Sequence, residues 1–146
     1  MRPLLVILGV VLFVWLSRKK GEDRLARDVQ SHLSFLFRDH GARIIPNDRA
    51  RLPPPAFDYA FVTVALDDVF IRLCRGRGEV YVAIASKFAP SQWRRLTSVM
   101  NLLPLLNEPE HIREGNFRDL WEVSRILRRE LQDPEQFRQL KQRLES

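Results

Sequence analysis

Between Ala56 and Ser86 the chain carries three consecutive runs of strand-like character, Phe57 to Leu66, Val69 to Cys74 and Glu79 to Ala85. Val, Ile, Phe and Tyr dominate them, and these β-branched and aromatic side chains suit a pleated, half-buried surface. Asp67-Asp68 and Arg75-Gly76-Arg77-Gly78 separate the runs at hairpin lengths, so the pattern predicts a three-stranded antiparallel meander. Phe57, Tyr59, Phe61 and Thr63 fall on one face of the first run, and Asp58, Ala60, Val62 and Val64 on the other. Both faces therefore have apolar content, and helices are expected on one face with partial cover on the second. Arg72, alternating with Ile71 and Leu73, marks the more exposed face of the middle strand.

The period changes from two to 3.6 on either side of this sheet. From Glu22 to His40, Leu25, Val29, Leu33, Leu36 and more loosely Phe37 recur at helical spacing, and Gly41 follows where a helix C′ residue is expected. Packing on the sheet explains this face; lying in a membrane interface is the rival reading. Residues 42–55 read as a Pro-rich connector, with Pro46, Pro53, Pro54 and Pro55 favouring a stiff extended lead-in to the first strand. After Ser86, Pro90 opens a helix whose stripe is Trp93, Leu96, Val99, Met100 and Leu103, ended by Pro104. Asn116 is expected to cap a helix with Phe117, Leu120, Trp121, Ile126, Leu127 and Leu131 on its inner side. Asp133-Pro134 opens a last helix with Phe137, Leu140 and Leu144. No period of 20 to 50 residues recurs, so a repeat architecture is not expected.

The N-terminus adds a different element. Leu4 to Leu16 is an apolar run closed by Ser17 and then Arg18-Lys19-Lys20. At 1.5 Å per residue it gives roughly 20 Å of helix against a hydrocarbon core of about 30 Å. Adding Met1, Pro3 and Ser17, with Arg2 and Arg18 reaching outward, brings it near the minimum for a span. The reading is a transmembrane anchor over residues 1–20, with Arg2, Trp15, Arg18, Lys19 and Lys20 as its membrane flank. A cleaved signal peptide and a buried helix are the alternatives; the short n-region, the missing small-x-small site and the following cations speak against the signal peptide. The same cations favour holding the C-terminal side in the cytoplasm. A single-pass protein with a cytosolic body, residues 21–146, is thus expected.

Composition adjusts this picture in two ways. The 146 residues have a net charge of +6 and a pI near 10.2, which invites a nucleic-acid partner. Four of the 24 Lys and Arg flank the apolar run, however, leaving 20 against 18 Asp and Glu. The basicity belongs to the flanks, and no nucleic acid is expected. The one cysteine, Cys74, falls in a strand and reads as a buried structural thiol with no internal disulfide.

Catalytic chemistry has no visible carrier. His32, His40 and His111 lack metal-ligand spacing, Asp67 and Asp68 read as turn formers, and no Gly-rich loop leads from a strand into a helix. Neither cofactor nor metal is expected, and no catalytic residue is assigned. The guanidinium groups of Arg72, Arg75 and Arg77 are the candidate partner-binding residues, since arginines beside open backbone amides can clamp a carboxylate or phosphate. Turn formation by the glycines with solvated arginines is the plainer reading of the Arg75 to Gly78 stretch.

The segment Val69-Phe-Ile-Arg-Leu-Cys-Arg-Gly-Arg-Gly-Glu-Val-Tyr-Val-Ala-Ile-Ala-Ser, followed by Trp93, resembles small bacterial domains of immunity-protein type. These place a strand, an Arg-Gly turn, a second strand and a Trp-bearing helix in this order. The resemblance covers residues 66–93 and implies protein binding rather than catalysis; it transfers no functional residue. The expected fold is α+β: an N-terminal anchor helix, a helix, the three-stranded meander and three C-terminal helices. The expected function is a non-catalytic, membrane-anchored protein-interaction module, immunity-like or part of a membrane assembly, whose partners are the lipid bilayer and another protein. The alternative is an anchored enzyme or small-ligand-binding domain with its site between sheet and helices.

Overall fold

The three strand-like runs of the central region pair antiparallel, but as part of a larger sheet than the three-stranded meander expected. In a computed structural model, which describes residues 2–46 and 60–146 and the backbone alone at Arg2, Val14, Trp15 and Arg18, strands β2 (Ala60–Leu66), β3 (Val69–Gly76) and β4 (Glu79–Ser86) pair antiparallel. Thr63 stands opposite Arg72, and Arg72 opposite Ala83. The β3–β4 turn is tighter than expected, with only Arg77 and Gly78 between the paired Gly76 and Glu79. Both turn residues have positive φ, 52° and 75°, the requirement of a tight hairpin whose twist matches its strands. The triple-proline part of the connector and residues 57–59 of the first expected strand lie outside the described residues.

The sheet is larger than a three-stranded meander: among the described residues it has six strands. β1 (Arg43–Ile45), placed in the connector by the sequence pattern, pairs with β2, with Ile44 opposite Val64. β5 (Arg94–Arg95) and β6 (Asn116–Phe117) divide the outer edge of β4 between them, through Ala83 and Ile84 for β5 and through Val80 and Tyr81 for β6. Two or three residues are too few for a period to register, yet they occupy edge hydrogen bonds that would otherwise stand open.

The helices also depart from expectation. α1 (Arg2–His32) is one continuous helix that includes both the apolar run and most of the predicted first helix. It breaks at Leu33 and resumes as α2 (Ser34–Asp39). Gly41, at φ 64°, ends α2, and the Ala42 amide donates to the Leu36 carbonyl, the left-handed C′ geometry that glycine accommodates. The long helix expected from Pro90 is replaced by β5, α3 (Leu96–Val99) and α4 (Leu102–Leu105). The extended backbone of Met100 and Asn101 separates α3 from α4, and the Asn101 side chain accepts from the Leu103 amide. Trp93 therefore lies on no helix, unlike the tryptophan of the immunity-type pattern. After α5 (Glu110–Arg113) and β6 comes α6 (Leu120–Leu131), capped by Asp119 rather than Asn116, because Asn116 is in the sheet. Asp133 caps α7 (Pro134–Glu145) with Pro134 in its first turn.

The transmembrane anchor, and with it the single-pass localisation and the cytosolic orientation deduced from it, is corrected. No helix among the described residues is long and apolar enough to cross a membrane. The apolar stretch of α1 gives only roughly 20 Å of rise, and the same helix runs straight on through Lys19, Lys20, Glu22, Asp23 and Arg24.

α1 meets the sheet at Gly21, where an added Cβ would lie 3.6 Å from the Ala60 Cβ. Beyond that point Leu25, Val29, Leu33 and Leu36 are fully buried. They pack with Val64, Ile71 and Ile84 from one sheet face and with Val123, Ile126, Leu127 and Leu140 of α6 and α7 in a single cluster. Even-numbered residues of β2 and β4 and odd-numbered residues of β3 supply that face, the period-two alternation of a strand. The opposite face carries Phe61, Thr63, Phe70, Arg72, Cys74 and Tyr81.

Candidate functional site

Arg72, Arg75 and Arg77 do not converge. Strand alternation turns Arg75 toward the helix layer, where its Nη1 donates to Asp28 Oδ2 of α1 at 2.7 Å and fastens α1 to the hairpin. Arg77 is exposed at the turn. Arg72 projects from the opposite sheet face, where its guanidinium carbon lies 4.1 Å from the ring centre of Trp93 and 5.1 Å from that of Phe61. A guanidinium between two aromatic faces is held by their quadrupoles without a carboxylate. Burial pulls the Arg72 pKa below its ordinary value and pushes the Cys74 thiol up, each opposed by the charge of the other. Cys74 itself is half-buried on this open face, not enclosed in the core.

Arg72 stands beside a cavity of about 560 Å³ whose lining includes Arg43, Ile44, Thr63, Phe70, Lys87 and Trp93. Among the described residues, the hydroxyl of Thr63, which is 2% exposed, and the buried indole Nε1 of Trp93 both lack a hydrogen-bond partner, as do the buried Nε and Nη2 of Arg72. Buried polar groups are rarely left so. Asp67 is the carboxylate of the lining, and it accepts from Lys141 Nζ at 2.7 Å. Sequence pattern placed Arg72 on the more exposed face of the middle strand. It missed Trp93, assigned to a helix, and Arg43, assigned to a connector.

A second polar cluster is structural. Glu108, in the α4–α5 connection, accepts both guanidinium nitrogens of Arg125 at 2.7 and 2.8 Å and one of Arg129 at 3.1 Å. Chiefly through the Arg125 hydrogen bonds, its carboxyl is held down to about 2. His111 Nε2 lies 3.1 Å from Glu122 Oε2, beside the start of α6. Among the described residues no group of three or more His, Cys, Asp or Glu side chains could hold a metal ion.

The largest apolar exposure belongs to the N-terminal arm of α1. Leu4, Leu5, Val6, Ile7, Leu8, Val10, Val11, Leu12, Phe13 and Leu16 are 45–71% exposed. Consecutive apolar positions at 100° per residue place such side chains on every side of the helix. Leu102, Leu103 and Leu106 on and after α4 form a smaller exposed group, and Trp121, expected inside α6, is outside. Compared with protein-family models, curated proteins and solved structures, the chain matches none.

Proposed function

We propose that the chain is a non-catalytic protein-interaction module that docks another protein through the N-terminal arm of α1. The observation that carries this reading is the exposed apolar arm, rigidly continuous with a helix whose other half is locked into the core. Contiguous apolar surface of this extent marks an interface, and a helix apolar on all sides is matched only by a cleft that encloses it. Its root carries Arg18, Lys19 and Lys20, so the complementary partner presents an apolar cleft with an acidic rim. A second copy paired in parallel fits poorly, since it sets the basic collars against each other. The space between sheet and helices, where a ligand or catalytic site was the alternative, is filled by side chains with no exposure, among them Leu25, Val64, Ile71 and Ile84.

Photo-crosslinking residues introduced in place of Leu8 and Leu12 of the full chain test this in cells. The expected result is one adduct with a different protein, weakened when Arg18, Lys19 and Lys20 are all replaced by Glu. Adducts only with lipid or with copies of the chain, or an adduct indifferent to the charge reversal, would overturn the proposal.

A further inference from the structure

We infer that Glu130 is a proton-operated switch between α6 and α7: on losing its proton it draws the Arg143 guanidinium of α7 away from Gln139 and onto itself. The inference is independent of the arm and goes beyond the protein-docking role. Glu130 is 3% exposed and shares the buried side of α6 with Ile126, Leu127 and Leu131. Among the described residues its carboxyl has neither a hydrogen bond nor an ion pair. A glutamate at such a position is ordinarily paired, or else it is neutral.

The charges that act on Glu130 are Arg129 of its own helix and Arg143 of α7. Arg129 is committed elsewhere, since its Nη1 donates to Glu108 Oε1 at 3.1 Å. Arg143 is held less firmly. Its Nη2 donates to the neutral Gln139 Oε1 at 3.3 Å, longer than the usual range of such bonds. The neighbouring Arg94 of β5 donates to the Arg143 backbone carbonyl, which fixes the main chain and leaves the guanidinium as the part that moves. Helical side chains lean toward the N-terminus of their helix, and on α7 that is the end joined to α6 through Gln132 and Asp133, close after Glu130. Burial pushes the Glu130 carboxyl above its ordinary 4.5, and the two arginines oppose the rise. With the folded-state value raised, the packed arrangement is fully stabilised below 4.5 and weakens as pH rises through the folded value. A swing of Arg143 onto the new carboxylate offsets part of that cost, so rising pH exchanges one side-chain arrangement for another.

The test is an NMR titration of the full chain from about pH 4 to 9. It follows the Glu130 side-chain carboxyl carbon, assigned by its loss in Glu130→Gln, and the Arg143 Nε–H, assigned by its loss in Arg143→Gln. The carboxyl is expected to titrate with a midpoint above 4.5, and the Arg143 Nε–H to shift with that same midpoint. In Glu130→Gln, which keeps the neutral shape, the Arg143 shift should vanish. The melting temperature of this variant should match the parent at the acid end of the range and exceed it at the alkaline end. Arg143→Gln removes a cation that favours the carboxylate, so the Glu130 midpoint should rise further, a change that a merely structural role for Arg143 would not produce. A Glu130 midpoint at or below 4.5, an Arg143 signal that does not follow it, or an unmoved Glu130 midpoint in Arg143→Gln would overturn the inference.

Discussion

Replacing Glu108 by Gln isolates the electrostatics that pin the α4–α5 connection to α6. The Glu108 side chain is 9% exposed and grips Arg125 with both oxygens. Its carboxyl sits at about 2 against an ordinary 4.5, because the hydrogen bonds from Arg125, and less strongly the one from Arg129, outweigh the cost of burial. A displacement of this size corresponds to roughly 3 kcal/mol at about 1.4 kcal/mol per unit. Arg125 and Arg129 are 38% and 33% exposed, and solvent screening reduces the figure to about 2 kcal/mol. Because the folded-state pKa is depressed, this stability is fully present above the unfolded value and is lost as pH falls through the folded one. Urea unfolding at pH 7 should therefore show a midpoint about 1 M lower for Glu108→Gln, at a slope of about 2 kcal/mol per M. The gap between variant and parent should close as pH drops from about 4.5 toward 2. Equal midpoints at pH 7, or a gap that persists unchanged to pH 2, would refute the reasoning.

Three further outcomes follow from burial. Leu36→Ala, at a fully buried position of α2 within the core cluster, should cost about 2–5 kcal/mol in urea unfolding, and a loss under 1 kcal/mol would remove it from the core. Leu105 is 1% exposed and Leu103 70%, so alanine should destabilise at the first by about 2 kcal/mol or more and at the second by less than about 0.5. Cys74, whose thiol burial pushes up, should react with iodoacetamide at pH 7.5 more slowly than a free cysteine model; a faster reaction would contradict its placement.

The three long strands and the core face of the first helix were legible because their apolar residues repeat over enough positions to fix a period. Val62, Val64 and Leu66 and the set Leu25, Val29, Leu33 and Leu36 are buried as that pattern requires. The edge strands were not, because Arg94-Arg95 and Asn116-Phe117 pair through backbone geometry that leaves no mark in two residues. Trp93 to Leu103 misled because its spacing matches a helix while Met100 and Asn101 are extended and end it. The anchor misled because it needs Met1, Pro3 and Ser17, with Arg2 and Arg18 reaching outward, to make up a span that the apolar run itself, at roughly 20 Å of rise, does not supply. Beside the cavity, alternation along β3 gave the face of Arg72, whereas Trp93 and Arg43 came together in its lining through the chain path after Ser86 and the pairing of β1.

The most direct measurement is the affinity of the protein crosslinked to the arm, purified, for three forms of this chain: full length, a form beginning at Gly21, and the full chain with Arg18, Lys19 and Lys20 changed to Glu. Arm docking predicts at least a hundredfold loss for the form beginning at Gly21. It predicts roughly tenfold loss for the charge-reversed form, at up to about 1 kcal/mol per exposed charge pair, shrinking as salt is raised. Equal affinity of all three forms would contradict it.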